Sequence, residues 1–461
     1  MKTNSFCKSL FPWLCSAIIL CANMLIYQSC RKTDTLTHVE TKSLSAGVAS
    51  SAAANGKPNI ILILGDDIGY GVPTCNGGET YETPNIDLMA ANGMRFTNCY
   101  SAPLCSPSRF MFVTGKYNFR NYTYWGQMNT NEKTIANIMQ DAGYATCVAG
   151  KWQFDGGDVS ITNHGYDDYS VWNPFKEDNG SHYKNPVIYE NGAYLPASAT
   201  VNRYGDDMFT DRILSFIKNN SDNNFFVYFP ITLCHYPYSP TPDDPEFAAW
   251  NPKTGTPEAR YFPSMVKYMD KKIGQLTDSL KAWDLYNNTI LMFIGDNGTP
   301  HEIWFTYNGV YQEGGKSNSN ESGTHVPMVV TWPDGGITPG QVNDNLIDFT
   351  DFAPTLAQAA ETTIPASFGT VDGTSFLDQL KGLPTVPRSW VFCHYAPNTN
   401  NSNTTLKRWI NDKTYKLYDN TGKFYNILLD PAEKRPIKKS AMTTAEKNKK
   451  AEFQQIMNTL K

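Results

Sequence analysis

The chain has 461 residues, 41% of them hydrophobic and 13% aromatic, with a formal net charge of -5. That apolar and aromatic content excludes a largely disordered chain, and the length allows a large core plus a smaller unit. A mildly acidic balance with no basic stripe argues against nucleic acid as the main partner.

The first thirty residues read as targeting rather than fold. Lys2 and Lys8 precede an apolar stretch from Leu10 to Ile26, broken by Pro12, Ser16 and Asn23, which ends at Gln28-Ser29-Cys30. This is the pattern of a secretory signal peptide over residues 1–30, too short and interrupted for a membrane span. Cys30 after a small residue also fits the acylation site of a bacterial lipoprotein, although Tyr27 stands where such signals carry Leu. A plain cleaved signal and a membrane tether through lipidated Cys30 both stay open. Either implies export to the periplasm or cell surface. Residues 31–56 are polar, then Ala/Ser-rich, and are expected to form a flexible linker. Four of the ten cysteines lie at or before Cys30. The others are scattered and form neither a disulfide framework nor a zinc motif.

From Pro58 to Gly65 the chain is almost continuously apolar, the pattern of a strand buried on both faces. Phe225 to Phe229, Thr289 to Ile294 and Val326 to Trp332 repeat it. Between them Ile135, Ile138, Met139 and Ala142 follow helical spacing, with Gly143 as a stop, and Met265, Ile273, Leu276 and Leu280 do likewise. The alternation predicts an α/β sandwich around a large, mostly parallel sheet. Asp66-Asp67 and Asp296-Asn297 each follow such a strand. They are therefore expected to meet at the carboxyl edge of the sheet, where ligands gather in open α/β folds. Residues from Asp155 to Tyr204, rich in Asn, Tyr and Trp, are expected to line the outer pocket. Beyond Gly382 the texture changes. Ser389–Tyr395, Leu406–Asn411, Lys413–Tyr418 and Lys423–Ile427 read as short strands of an antiparallel sheet. A helix over Thr443–Leu460 follows, with Thr443 and Glu446 as its capping box. Residues 383–461 thus form a smaller C-terminal α+β unit.

The most specific feature is Leu104-Cys105-Ser106-Pro107-Ser108-Arg109, followed by Val113-Thr114-Gly115. It resembles the Cys-x-Pro-x-Arg signature of the type I sulfatases, in which the cysteine is oxidised to Cα-formylglycine. The phrases Thr83-Pro84-Asn85-Ile86-Asp87, Gly93-Met94-Arg95-Phe96-Thr97 and Phe424-Tyr425-Asn426 through Asp430-Pro431 extend the resemblance over residues 57–434. It implies an alkaline-phosphatase-like fold, with a catalytic domain at 57–382, and hydrolysis of sulfate esters. It also implies a formylglycine-generating maturation enzyme as partner and one Ca²⁺ held by Asp66, Asp67, Asp296, Asn297 and an oxygen of modified Cys105. In the same reading Arg109 holds the formylglycine hydroxyls, Lys151 and Lys316 bind sulfate, and His235 protonates the leaving alcohol. A sulfated carbohydrate is the expected substrate, from export and analogy alone.

The chemistry of these residue types agrees. Carboxylate and amide oxygens suit a hard cation, and an unmodified thiol does not. A formylglycine hydrate has one hydroxyl to attack sulfur and another from which the aldehyde can re-form. Each contacting lysine offers about 4 kcal/mol of Coulomb attraction at an intermediate dielectric, before desolvation. Two positions depart from the family. Gln153 follows Lys151-Trp152 where His is usual. It can donate to sulfate but cannot act as a base, so His301 is the expected replacement. His325 stands where many members carry Arg and is expected to satisfy core polar groups. The two changes occur together in some bacterial sulfatases and read as a subgroup trait. The rival readings are a phosphodiesterase or phosphonate monoester hydrolase of the same superfamily, and an inactive glycan-binding surface lipoprotein.

Overall fold

The computed structural model describes residues 56–176, 180–397 and 406–460. The signal segment, Cys30 and nearly all of the linker lie outside them. Among the described residues no helix is long and apolar enough to cross a membrane.

The strands in chain order are β1 (Asn59–Gly65), β2 (Met94–Tyr100), β3 (Ala145–Lys151), β4 (Asp168–Trp172), β5 (Tyr189–Glu190), β6 (Ala193–Tyr194), β7 (Phe225–Phe229), β8 (Thr289–Gly295), β9 (Trp304–Tyr307), β10 (Val310–Glu313), β11 (His325–Thr331) and β12 (Gln341–Asp348). Ten form one sheet in the order β12-β2-β11-β8-β1-β7-β3-β4-β5-β6, and β9 and β10 pair as a hairpin. The centre is parallel, from β8 through β1, β7 and β3 to β4. β11 runs antiparallel to both β8 and β2, against the direction of the parallel core. Its apolar run could not reveal this, because burial on both faces produces the same pattern in either direction.

β1 shows how that pattern arises. Ile60, Leu62 and Leu64 point into one apolar cluster, and Ile61 and Ile63 into the other. Alternating side chains of one strand thus fill two cores. The first face is covered by the helices Cys105–Thr114, Ile135–Asp141 and Phe352–Ala359, the second by Gly205–Asn219 and Phe262–Ala282. The fold is therefore an α/β sandwich as expected. β2 and β12 were not legible as strands, since β12 (QVNDNLID) carries mostly polar residues at the sheet edge.

The C-terminal strands β13 (Val391–Tyr395), β14 (Lys407–Asn411), β15 (Tyr415–Tyr418) and β16 (Phe424–Asn426) form the expected antiparallel sheet. The final helix, Thr444–Thr459, starts with the reciprocal Thr443/Glu446 capping box and buries Phe453 and Met457. Phe392, Trp409, Ile410 and Leu417 of the small sheet join the first apolar cluster of the main body.

The small sheet also grips a loop of the larger body. Lys416 is fully buried, and its ammonium bonds the Ser319 carbonyl and lies 2.8 Å from Glu433. The Tyr418 hydroxyl lies 3.0 Å from Ser319 Oγ and 2.5 Å from Glu433. Ser319 is three residues beyond Lys316. Lys416→Met should strand the Glu433 carboxylate and destabilise the protein by about 3–5 kcal/mol in urea unfolding. The double change with Glu433→Gln should recover most of that loss.

Candidate active site

The carboxyl ends of β1 and β8 lie side by side, because these strands pair in parallel from Asn59↔Thr289 to Gly65↔Gly295. The residues after them therefore meet. Asp66, Asp67, Asp296 and Asn297 are all essentially without solvent exposure. The Asp67 amide donates to Asp296 Oδ1 at 3.0 Å, and Asn297 Nδ2 donates to Asp67 Oδ1 at 2.8 Å. Asp66 Oδ1 and Asn297 Oδ1 are enclosed without a hydrogen-bond donor. Two orphaned acceptors within an oxygen-only set fit a hard cation such as calcium. A nitrogen of His235 lies within 4.8 Å of the Asp66 and Asp67 oxygens, a grouping the sequence did not suggest. Imidazole is a poor partner for such a cation.

Cys105 opens the helix Cys105–Thr114, all ten residues of which are buried. Burial raises its thiol pKa, while Lys151 and Lys316 pull it down. Arg109, one turn on, donates through Nε and Nη2 to Asp296 Oδ2 at 3.2 and 2.9 Å and lies 3.3 Å from Asp66 Oδ2. It thus ties the helix of Cys105 to the carboxylates.

Lys151 ends β3. Gly150 before it has φ 125°, and a Cβ there would fall 2.2 Å from the Pro230 carbonyl oxygen, so only glycine lets β3 pass this close. The Lys151 ammonium reaches Asp66 Oδ2 at 2.6 Å, and that of Lys316 reaches Asp67 at 2.6 Å. Burial works to raise the Asp66 pKa, but Lys151, His235, Arg109 and Lys316 together hold it well below the carboxylate range. Asp296 goes the other way, raised by burial and by the Asp66 charge. His235 is half-buried, with burial and Lys151 depressing its pKa, and its Nδ1 is enclosed without a partner. Gln153 follows at φ 57°, with its Oε1 also enclosed and unpartnered. The arrangement gathers anionic ligands, cationic side chains and a buried residue at a helix N-terminus, a setting suited to displacement on an oxyanion.

A family model described as sulfatase matches residues 58–362, more than half of the chain. The chain belongs to the sulfatase family. A second model, N-sulphoglucosamine sulphohydrolase, C-terminal, matches residues 315–459 of this family member. An arylsulfatase of Hemicentrotus pulcherrimus is 32% identical over 371 residues, 74% of this chain and 65% of its own length. Human N-acetylgalactosamine-6-sulfatase is 30% identical over 72% of this chain and 67% of its own. The chain thus spans about two thirds of these relatives. Among solved structures, Ps i-CgsB in complex with k-i-k-neocarrahexaose overlays with a TM-score of 0.71 at 23% identity, covering 88% of this chain and 92% of that one. A second, in complex with its substrate D-glucosamine-2-N,6-O-disulfate, gives 0.70 at 20% identity, covering 87% and 98%. At these identities the overlays bear on the fold, and they agree with an alkaline-phosphatase-like sandwich.

His301, the expected base, lies in a different setting. His301 is exposed, and its Nδ1 lies 3.6 Å from Glu313 at the base of the β9–β10 hairpin. Beyond Asn297 the chain turns outward into that hairpin, and the imidazole is not drawn into the buried cluster. His325 does satisfy core groups, with Nε2 2.8 Å from the Thr97 carbonyl and its ring stacked on Tyr70 at 3.9 Å. A residue that sequence reasoning did not single out, His182, is buried beside His235, with ring centroids 5.8 Å apart. It lies in the aromatic stretch expected to line the pocket, but a single His there carried no spacing signal.

Proposed function

We propose that this chain is an exported sulfatase that hydrolyses a sulfate ester of a sulfated carbohydrate to alcohol and inorganic sulfate, using one calcium ion and a formylglycine derived from Cys105. The convergence of Asp66, Asp67, Asp296 and Asn297 on the site of Cys105, Lys151, Lys316 and His235 carries this reading. A calcium ion in that oxygen set, with formylglycine at position 105, supplies an activated oxygen nucleophile and charge for a sulfate oxygen. The chain's own residues do the rest. Arg109 holds the helix of residue 105 against the carboxylates, so the nucleophile's position is fixed before substrate arrives. Lys151 and Lys316 present two ammonium groups to the peripheral oxygens of the ester. Gln153 offers an amide donor beside them. His235 stands where it can give a proton to the departing alcohol oxygen. The carbohydrate assignment draws support from the two sugar complexes above and from the export signal.

The test is sulfate release by full-length enzyme with confirmed formylglycine. The panel comprises an aryl sulfate, sulfated mono- and oligosaccharides, and a phosphodiester. Faster turnover of the phosphodiester than of every sulfate ester would move the chain to the phosphodiesterase reading. No turnover of any ester would favour a binding protein.

A further inference from the structure

Three of the six histidines among the described residues have surroundings that explain them, and a fourth, His394 on β13 of the small sheet, has an enclosed Nδ1 of its own. His164 engages Ser160 Oγ and the Asn129 carbonyl, each at 3.1 Å, His325 engages Thr97, and His301 faces solvent. His182 is only 3% exposed, and its Nε2 is enclosed without a partner. The enclosed Nδ1 of His235 is in the same condition. An enclosed polar atom without a partner is costly and calls for an explanation.

The surrounding structure holds the two rings together. His182 packs 4.1 Å from Trp172 and 4.1 Å from Tyr183, and Trp172 lies 6.3 Å from His235. Trp172 Nε1 donates to the Gly180 carbonyl at 2.9 Å. The Tyr183 hydroxyl donates to the carbonyls of His235 at 2.7 Å and Thr232 at 2.9 Å. At the first residue of the helix Gly205–Asn219, a Cβ on Gly205 would fall 2.0 Å from the His182 carbonyl oxygen, so this backbone has no slack. One short segment, 180–183, therefore fixes both the His182 ring and the His235 backbone.

We propose that His182 is a positioning residue whose unpaired ring nitrogen is linked through one water to Nδ1 of His235, setting that ring with Nε2 toward the leaving oxygen. Neither nitrogen has a direct partner, and rings with centroids 5.8 Å apart are within reach of one shared water. Burial favours the neutral form of His182, with His235, Lys151 and Asp66 as the charged or titratable groups acting on it. A neutral imidazole has one donor and one acceptor, so two such rings can end one link. Which nitrogen of His235 faces the substrate is set by the bond its other nitrogen makes.

This inference rests on His235 serving the leaving oxygen. It is tested with His182→Phe, which keeps a ring but no nitrogen, and His182→Gln, which keeps a donor and an acceptor. On a sugar sulfate with a poor leaving group, His182→Phe should lower kcat roughly 10- to 100-fold with KM within about twofold. On an aryl sulfate with a good leaving group the loss should be under about threefold. His182→Gln should restore part of the sugar-sulfate rate. Equal losses on both substrates, or none, would overturn the proposal. ¹⁵N NMR of His235 in resting enzyme gives a readout independent of turnover. Its tautomer signature should change in His182→Phe and be partly restored in His182→Gln. An unchanged signature in His182→Gln and His182→Phe alike also overturns the link. If wild-type enzyme hydrolyses no sulfate ester, the sulfatase reading fails, and the NMR arm still decides the link. If His182→Phe does not fold, the leaving-group dependence and the His235 signature of His182→Gln against wild type decide it.

Discussion

Cys105→Ala should abolish turnover, lowering kcat by roughly four orders of magnitude or more, because it removes the thiol whose oxidation creates the aldehyde that carries the nucleophile. The folded protein should survive the change. Cys105 is 1% exposed, but Ala keeps the helix and removes one sulfur from a niche whose other groups hold one another. Peptide mass spectrometry of active wild-type protein should show aldehyde in place of thiol at this position. Full activity from protein with an intact Cys105 thiol would remove the formylglycine reading while leaving the family assignment untouched.

The second large effect is expected from chelation. Removing divalent metal should lower kcat by at least about a hundredfold, with calcium restoring it better than magnesium or zinc, because every expected ligand is oxygen. The binding should also be visible without turnover. Calcium at a hundred times its dissociation constant should raise unfolding free energy by about 2.7 kcal/mol, read as a shift in the thermal midpoint. That shift should vanish in Asn297→Leu, which removes an acceptor now enclosed without a donor. A thermal midpoint insensitive to calcium in the wild type would refute the cation site.

The meeting of the residues proposed to hold metal and nucleophile was legible because each sits where local chemistry leaves few options. Asp66 and Asp296 follow strands so apolar that their end is unmistakable, and parallel pairing of those strands brings the carboxylates together. Cys105 and Arg109 are one helical turn apart, so a six-residue motif fixes their geometry. Lys151 was legible only through the family resemblance; that Gly150 must be glycine for β3 to pass so close to Pro230 came from the structure. His301 was read from its closeness in sequence to Asn297, where the chain turns outward into a hairpin and leaves the imidazole exposed. His182 escaped because it reaches His235 across 53 residues of chain, through packing on Trp172 and Tyr183 rather than through any repeat or spacing. The hold of Lys416 on the loop after Lys316 was hidden for the same reason. A buried lysine in a short strand reads as an ordinary solvent-facing charge until its partners are known.

The order of strands in the large sheet also sets a clock. β1 is made first among them, yet it pairs with β7 and β8, and Ile63 waits for Phe229 and Phe293. Such long-range pairings form late. At 5–20 residues per second, the ribosome needs about 10–40 s to pass from Cys105 to the end of β8. Until then the floor beneath the helix of Cys105 is incomplete, and the thiol that ends 1% exposed is within reach of other proteins. Chains stalled before β8 should therefore have a Cys105 that alkylates readily, and the finished fold should protect it. On the proposed formylglycine reading, the same late pairing that slows folding would give a modifying enzyme its interval to act.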